Sequence, residues 1–333
     1  MTRIFTDGAE FQDFLFFSTT VGSPVIDTAV FRSGAASYRV PSGSGAASQL
    51  QKNITALADG YGRIGFRSSN TAIAASIMRW FKGTTDLGSI RYNATGRIEL
   101  YTSTGTLVAT STNSLTLDTW YNLEWRVNIH DTTGVLEVKV DGTVWVTFSG
   151  DTKPGADTTF DTLIFRAGGT GGPNNYYDDL AFNDTTGGVD DGYPGDGKVV
   201  ILAPNAAGDV TQLTPSAGSN YQNVDEIPPD SDTTYNSSST ATQYDLYNLT
   251  TFTIAGNTVL RVWAECRARE ETAAGDSIKV GLKTNSVEYA GSAQAVTSSY
   301  ARYAGTNYAT NPQTLAAWTQ AEIDALQARF EVV

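Results

Sequence analysis

"WYNLEWRVNIHDTTGVLEVKVDGTVWV", residues 120–146, holds three short apolar alternations separated by two turn signals. The first alternation is strict. Tyr121, Leu123, Trp125, Val127 and Ile129 share one face, and Asn122, Glu124, Arg126, Asn128 and His130 share the other. A period of two over this length marks a half-buried β-strand. "DTTG" (131–134) and "DG" (141–142) carry turn chemistry, so the stretch reads as an antiparallel meander of three strands.

Register follows from matching faces, because a one-residue slip would turn every side chain to the wrong side. A four-residue loop at Asp131–Gly134 sets Ile129 opposite Leu136, Val127 opposite Val138 and Trp125 opposite Val140. A three-residue loop at Asp141–Thr143, with Gly142 at positive φ, sets Val140 opposite Val144, Val138 opposite Val146 and Leu136 opposite Phe148. Every inward residue is then apolar. A strict two-residue Asp-Gly turn would pair Val138 with Trp145 and mix the faces, so the bulged version is preferred. Trp145 then stands among Glu124, Arg126, Asn128, Glu137, Lys139 and Thr147, with Lys139 as its nearest cross-strand partner. Packing under charged stems, with a cation–π contact from Lys139, is preferred over a partner contact or a sugar platform.

The rest of the first half repeats this grammar. Strands are expected at 36–42, 61–69, 72–81, across 88–112, and at 160–168 and 176–184, with turn signals at short spacing. That number of strands predicts a two-sheet antiparallel sandwich.

"NDTTGGVDDGYPGDGK" (183–198) is rich in Gly and Asp and reads as a linker over 187–198. Asp190, Asp191 and Asp196 lack the spacing of an EF-hand loop. Beyond it the pattern is again β. In "TVLRVWAECRARE" (258–270) Cys266 falls on the apolar face and reads as a small core residue, not a nucleophile. Residues 214–243 form a long stretch with few apolar residues. Loops of this length are usually contact loops or disordered, and Pro228-Pro229 and the tyrosines argue for packing against something. In "WTQAEIDALQARFEVV" (318–333) Thr319 is an N-cap, Glu322 completes a capping box, and Trp318 and Ile323 are placed as a hydrophobic staple. A helix is expected at about 320–328, followed by a last strand. The fold class is therefore all-β: two antiparallel β-sandwich (jelly-roll) domains in tandem, 1–186 and 199–333, with one short helix near the C-terminus.

Composition narrows function. A formal charge of −13 over 333 residues argues against nucleic acid or an anionic membrane as partner. One cysteine rules out an intramolecular disulfide framework, and one histidine with one cysteine rules out the usual zinc sites. Folding in a reducing bacterial cytoplasm is the expectation. The N-terminal twenty residues carry Asp7, Glu10 and Asp13 where a signal peptide needs an apolar core. No run of 18 apolar residues occurs, so no membrane span is expected.

"SGAASYRVPSG" (33–43), the meander and "YYDDLAFND" (176–184) resemble the concanavalin A-like lectin/glucanase and laminin-G-like jelly rolls. The resemblance covers about residues 1–186 and implies a fold rather than an activity. Glucanase members carry a Glu-x-Asp-x-x-Glu strand; this chain has none. Calcium members use acidic groups near the ends of the sandwich, which makes Asp7, Asp178 and Asp179 the calcium candidates here. Capping or backbone hydrogen bonding by Asp178 and Asp179 is the preferred alternative. Residues 195–235 and 311–333 resemble the C-terminal half of bacteriophage virion structural proteins, in which a concanavalin-like domain precedes a second β domain.

These readings converge on a non-enzymatic virion structural protein, a capsid decoration or tail component. Other virion proteins and further copies of the chain are its expected partners, glycans a further class. It would be displayed on the virion surface, with no cofactor beyond structural calcium. The alternatives are a carbohydrate-binding adhesin and a glycan-cleaving enzyme.

Overall fold

The meander forms as its alternation demands. In the computed structural model, which describes residues 3–42, 48–103, 105–153, 155–168, 172–254, 256–271 and 275–333, its strands are Tyr121–Asn128, Gly134–Val140 and Thr143–Gly150. Leu123, Trp125, Val127, Leu136, Val138, Val140 and Val146 are buried on one face.

Two details of register differ from expectation. Across the first turn Trp125 pairs with Val138 and Val127 with Leu136, two residues from the expected pairing. An even slip keeps every side chain on its face, so face matching cannot detect it. Across the second turn Val140 pairs with Thr143, and Asp141 and Gly142 both take positive φ (49° and 79°). This is the strict two-residue Asp-Gly turn in place of the expected three-residue loop. The extra residue is absorbed one step later, by a bulge between the pairs Val138–Val146 and Lys139–Val144. A bulge moved past the turn satisfies both the turn chemistry and the apolar face.

That bulge re-aims Trp145. Its half-buried indole packs against the core and meets Tyr121 edge-on at 6.1 Å. Lys139 is not its partner: the ammonium lies 3.6 Å from the centre of the Tyr193 ring.

The chain divides into two compact units, 1–200 and 201–333. The first is an antiparallel sandwich. Its strands are Arg3–Asp7 (β1), Thr19–Val21 (β2), Val25–Asp27 (β3), Ser37–Val40 (β4), Gln49–Leu57 (β5), Asp59–Ser68 (β6), Ala75–Lys82 (β7) and Thr85–Tyr92 (β8). They continue as Arg97–Thr102 (β9), Thr106–Ser114 (β10), the meander (β11, β12, β13), Phe160–Arg166 (β14) and Asn175–Asn183 (β15). One sheet runs β13-β12-β11-β6-β15-β4-β3, with β1 also on β15; the other runs β10-β9-β8-β7-β14-β5-β2. Aromatic side chains cross between them: Phe66 and Tyr92 at 6.2 Å, Trp125 and Phe165 at 6.4 Å, Phe165 and Tyr177 at 5.6 Å. The last two are edge-to-face, an arrangement that adds to the area they bury. Trp125 stands opposite Gly62, where a Cβ would lie 2.0 Å from the indole. Only glycine admits the ring there.

The expected linker is not free. Residues 190–199 strap across the outer face of the β6-β11-β15 sheet. Gly195 N donates to Glu124 Oε1 (2.6 Å) and its carbonyl accepts from Arg63 (3.1 Å). Tyr193 OH donates to Glu137 (2.6 Å), and Val199 N donates to Asp179 Oδ1 (2.7 Å). The Gly- and Asp-rich composition read as flexible instead supplies turns and backbone groups for a polar sheet face.

The second unit holds a sheet ordered Pro204–Thr211 (β16), Tyr244–Leu249 (β19), Gln327–Val332 (β25), Ser277–Thr284 (β21) and Val287–Tyr289 (β22), with Ala293–Ala295 (β23) also on β21. Two ribbons accompany it: Thr214–Pro215 (β17) with Asn236–Ser237 (β18), and Glu265–Ala268 (β20) with Ala301–Ala304 (β24). The long 214–243 stretch is tied to its own unit through the buried Asp245. That carboxylate accepts from Gln212 N (2.6 Å), Leu213 N (2.9 Å), Asn220 Nδ2 (2.6 Å) and Tyr247 OH (2.7 Å). Cys266 is half-buried on β20, and burial pushes its thiol pKa up, against a nucleophilic role.

The capping box forms as expected, with Thr319 accepting from Glu322 N and Glu322 from Thr319 N. The helix (α1) is only Gln320–Asp324. It stops early because Gln327 and Ala328 are already paired within the sheet, between β19 and β21. Trp318 and Ile323 join one apolar cluster with Leu282 and Leu326.

Candidate functional site

The acidic candidates lie under the strap, and protein donors occupy them. Asp7 Oδ2 accepts from Tyr38 OH (2.5 Å) and Ala9 N (3.1 Å). Asp178 accepts from the backbone of Arg32 (2.7 Å), Ser33 (3.2 Å) and Asp179 (2.7 Å). Asp179 takes the Arg32 guanidinium at 2.7 Å, Ser33 Oγ at 2.6 Å and Val199 N. Burial, with Asp179 beside it, raises the Asp178 pKa to about 8. Glu10 joins this cluster, and burial raises it to about 8 as well. Among the described residues no group of three or more His, Cys, Asp and Glu side chains is arranged to hold a metal ion.

A different constellation stands on the outer face of the other sheet. Alternation along β7, β8, β9 and β14 sends Met78, Trp80, Ile90, Leu100 and Phe165 into the core. Their neighbours therefore point outward: Arg79, Arg91, Glu99, Tyr101 and Arg166. Cross-strand pairing groups them, with Arg79 opposite Ser89, Ser89 opposite Tyr101, and Arg91 opposite Glu99. Together with Ser76, Tyr92 and the 167–168 backbone they line a cleft of about 300 Å³. This is the small end of the range for ligand sites.

The cleft is internally ordered on one side. Tyr101 OH donates to Glu99 (2.8 Å), and Asn93 Nδ2 donates to the same carboxylate (3.0 Å). The Arg91 guanidinium lies 4.1 Å from the centre of the Tyr101 ring, and its Nε donates to Ser89 Oγ (2.9 Å). Burial and the Glu99 carboxylate raise the Tyr101 pKa. Arg79 is paired with Asp86. The other side is open-ended: Arg79 Nε, Ser76 Oγ and Arg166 Nε are buried without a hydrogen-bond partner in the protein. Burial lowers the Arg166 pKa, and the positive charges of Arg79 and Arg91 lower it further.

None of these side chains was singled out in the sequence. Each sits on the polar face of an ordinary strand: "SIMRWF", "SIRYNATGRIELY", "LIFRAG". The available signal was three arginines, each next to a core aromatic or aliphatic residue, in a chain poor in basic residues. Only the strand order β9-β8-β7-β14 brings them together.

No family model and no curated protein sequence matches the chain. Solved structures similar to it include an endo-β-1,4-glucuronan lyase from the fungus Trichoderma reesei. The match has 13% identity and a TM-score of 0.45, and covers 56% of this chain and 97% of that one. An alginate lyase in complex with an alginate tetrasaccharide matches at 14% identity and a TM-score of 0.38, covering 54% of this chain and 92% of that one. A carbohydrate esterase from Shiga toxin-encoding bacteriophage phi24B matches at 14% identity and a TM-score of 0.41, covering 54% and 97%. No residue role transfers at this level of similarity. One expectation is nonetheless corrected. The non-enzyme reading rested on a missing glycosidase motif, and the similar structures include polysaccharide lyases. A motif for hydrolysis says nothing about other routes of glycan cleavage, so that expectation is dropped.

Proposed function

We propose that the protein is a glycan-binding protein, of the adhesin or receptor-binding kind, and that its first unit takes carbohydrate in the Arg79–Arg91–Arg166–Tyr101 cleft. The observation that carries this reading is the cleft itself: a hollow on an open sheet face, lined by three guanidinium groups, the Tyr101 hydroxyl and the Glu99 carboxylate. Sugars present hydroxyl groups that such side chains can bond. The glycan-directed proteins among the similar structures accord with this reading. The setting we propose is the surface of a bacteriophage particle, on the strength of the resemblance of residues 195–235 and 311–333 to virion structural proteins in which a concanavalin-like domain comes first.

The test is retention of the full chain on immobilised polysaccharides. Tyr101→Ala is expected to weaken retention about tenfold. Trp145→Ala, outside the cleft lining, is expected to leave it intact while lowering stability by about 1 kcal/mol. Loss of binding in Trp145→Ala with Tyr101→Ala unaffected would move the site to the meander.

A second reading, cleavage of the bound glycan, is favoured by the Tyr101–Glu99 hydrogen bond. A phenol and a carboxylate in contact within a cleft can pass one proton to or from a substrate. Shortening of a bound polysaccharide by the full chain, abolished by Tyr101→Phe, would support it. Chains of unchanged length would reject it.

A further inference from the structure

We propose that the ligand of this cleft is an anionic sugar and that Arg166 is the receptor for its carboxylate. The inference deepens the glycan-binding reading and rests on it. Each other charge in the cleft has a partner. Asp86 holds Arg79. Glu99 takes Asn93 and Tyr101, and Arg91 spends its Nε on Ser89 and its flat face on Tyr101. Arg166 makes no side-chain hydrogen bond or ion pair among the described residues, and its Nε is buried. Three guanidinium groups face two carboxylates, so the hollow is positive in a molecule of formal charge −13.

A neutral sugar would leave that imbalance in place. Its hydroxyls can accept from a guanidinium, but they bring no charge, and a half-buried cation without a counter-charge is costly. A carboxylate matches the guanidinium fork with two parallel hydrogen bonds, the strongest polar contact available to arginine. The molecule's overall negative field repels a polyanion at long range. Selection therefore has to come from contact in the cleft, which makes it a property of named side chains.

The experiment uses calorimetric titration of the full chain. The probes are trisaccharides of galacturonate, glucuronate and mannuronate, the methyl ester of each, and cellotriose. At least one uronate is expected to bind ten or more times as tightly as its own methyl ester, which has the same ring without the charge. Arg166→Gln should weaken that uronate about tenfold, with an unchanged melting curve to show that the variant folds. Arg166→Lys should restore only part of the loss, because an ammonium keeps the charge without the fork. Arg91→Gln, on the far side of the cleft, should weaken binding less than Arg166→Gln. Esters or cellotriose binding as tightly as the uronates, or a folded Arg166→Gln that binds uronate normally, would overturn the proposal and leave the glycan reading standing. Failure of every probe, together with no retention on any polysaccharide, would overturn both.

Discussion

On the outer face of the eight-stranded sheet, Arg63 and Glu124 are as deeply buried as core residues, 3% and 4% exposed. On the outer face of the seven-stranded sheet, Arg79, Arg91 and Arg166 are only half-buried. Both faces carry charge on alternating strands, and both belong to one sandwich. They differ in what satisfies them. The strap and the loops around Glu10 and Arg32 cover the first face and answer its polar groups: Arg63 with Gly195 and Asp179 carbonyls, Glu124 with Gly195 N, Asp179 with Arg32. The cover is not complete: both side-chain polar atoms of Asn122, Glu10 Oε1 and Arg39 Nε lack a hydrogen-bond partner among the described residues. Among the described residues the second face has no such cover, and Ser76, Arg79 and Arg166, each with a polar atom that lacks a hydrogen-bond partner, gather around one hollow. Buried polar groups that the protein itself completes serve the fold, and the half-buried charges of the open face are the ones on which the proposed glycan site rests.

This contrast predicts a division of effects: stability on the covered face, binding on the open one. The largest loss is expected for Arg32→Ala. It leaves Asp179, fully buried, without its cation, and breaking a buried pair from one side costs about 3–5 kcal/mol. Equilibrium denaturation measures it. A loss below about 1 kcal/mol would mean that the strap does not need this anchor.

A smaller effect, with a defined pH dependence, is expected at Glu10. Its folded pKa of about 8 lies above the ordinary value of 4.5. Its contribution to stability is thus fully present below about pH 4.5 and lost as the pH rises to 8, because the folded state holds the proton longer. Glu10→Gln removes that dependence. It should match the wild type at pH 4.5 and be the more stable of the two at pH 9. Parallel stability profiles for the two proteins would show that this carboxyl is not strained by burial.

The smallest change in stability is expected for Arg166→Gln. With no ion pair to lose and two like charges nearby, the substitution should shift stability by less than about 0.5 kcal/mol, in either direction. A large destabilisation would place Arg166 with the covered face and remove the basis for a ligand there.

The sequence was most legible where one face is core. Alternation in "NLEWRVNI" assigned every inward residue, and the Thr319–Glu322 capping box and the Trp318–Ile323 pair were readable from spacing alone. It was less legible where two arrangements keep the same faces. An even slip at 129–134 and a bulge displaced by one step from Asp141-Gly142 are invisible to hydrophobic pattern, and the second decided where Trp145 points. Composition misled at 187–198, because glycine and aspartate suit a flexible linker and a hydrogen-bonded strap equally well.

What the sequence by itself determined is the class: an all-β chain of two units, acidic, with strands, turns and one capped helical turn fixed by local periodicity and local hydrogen-bonding chemistry. The tertiary structure alone decided the site. Arg79, Arg91, Tyr101 and Arg166 lie on four strands whose adjacency depends on sheet order. Sheet order is set by long-range packing of the opposite, apolar faces, and it leaves no mark on the outward residues that it brings together.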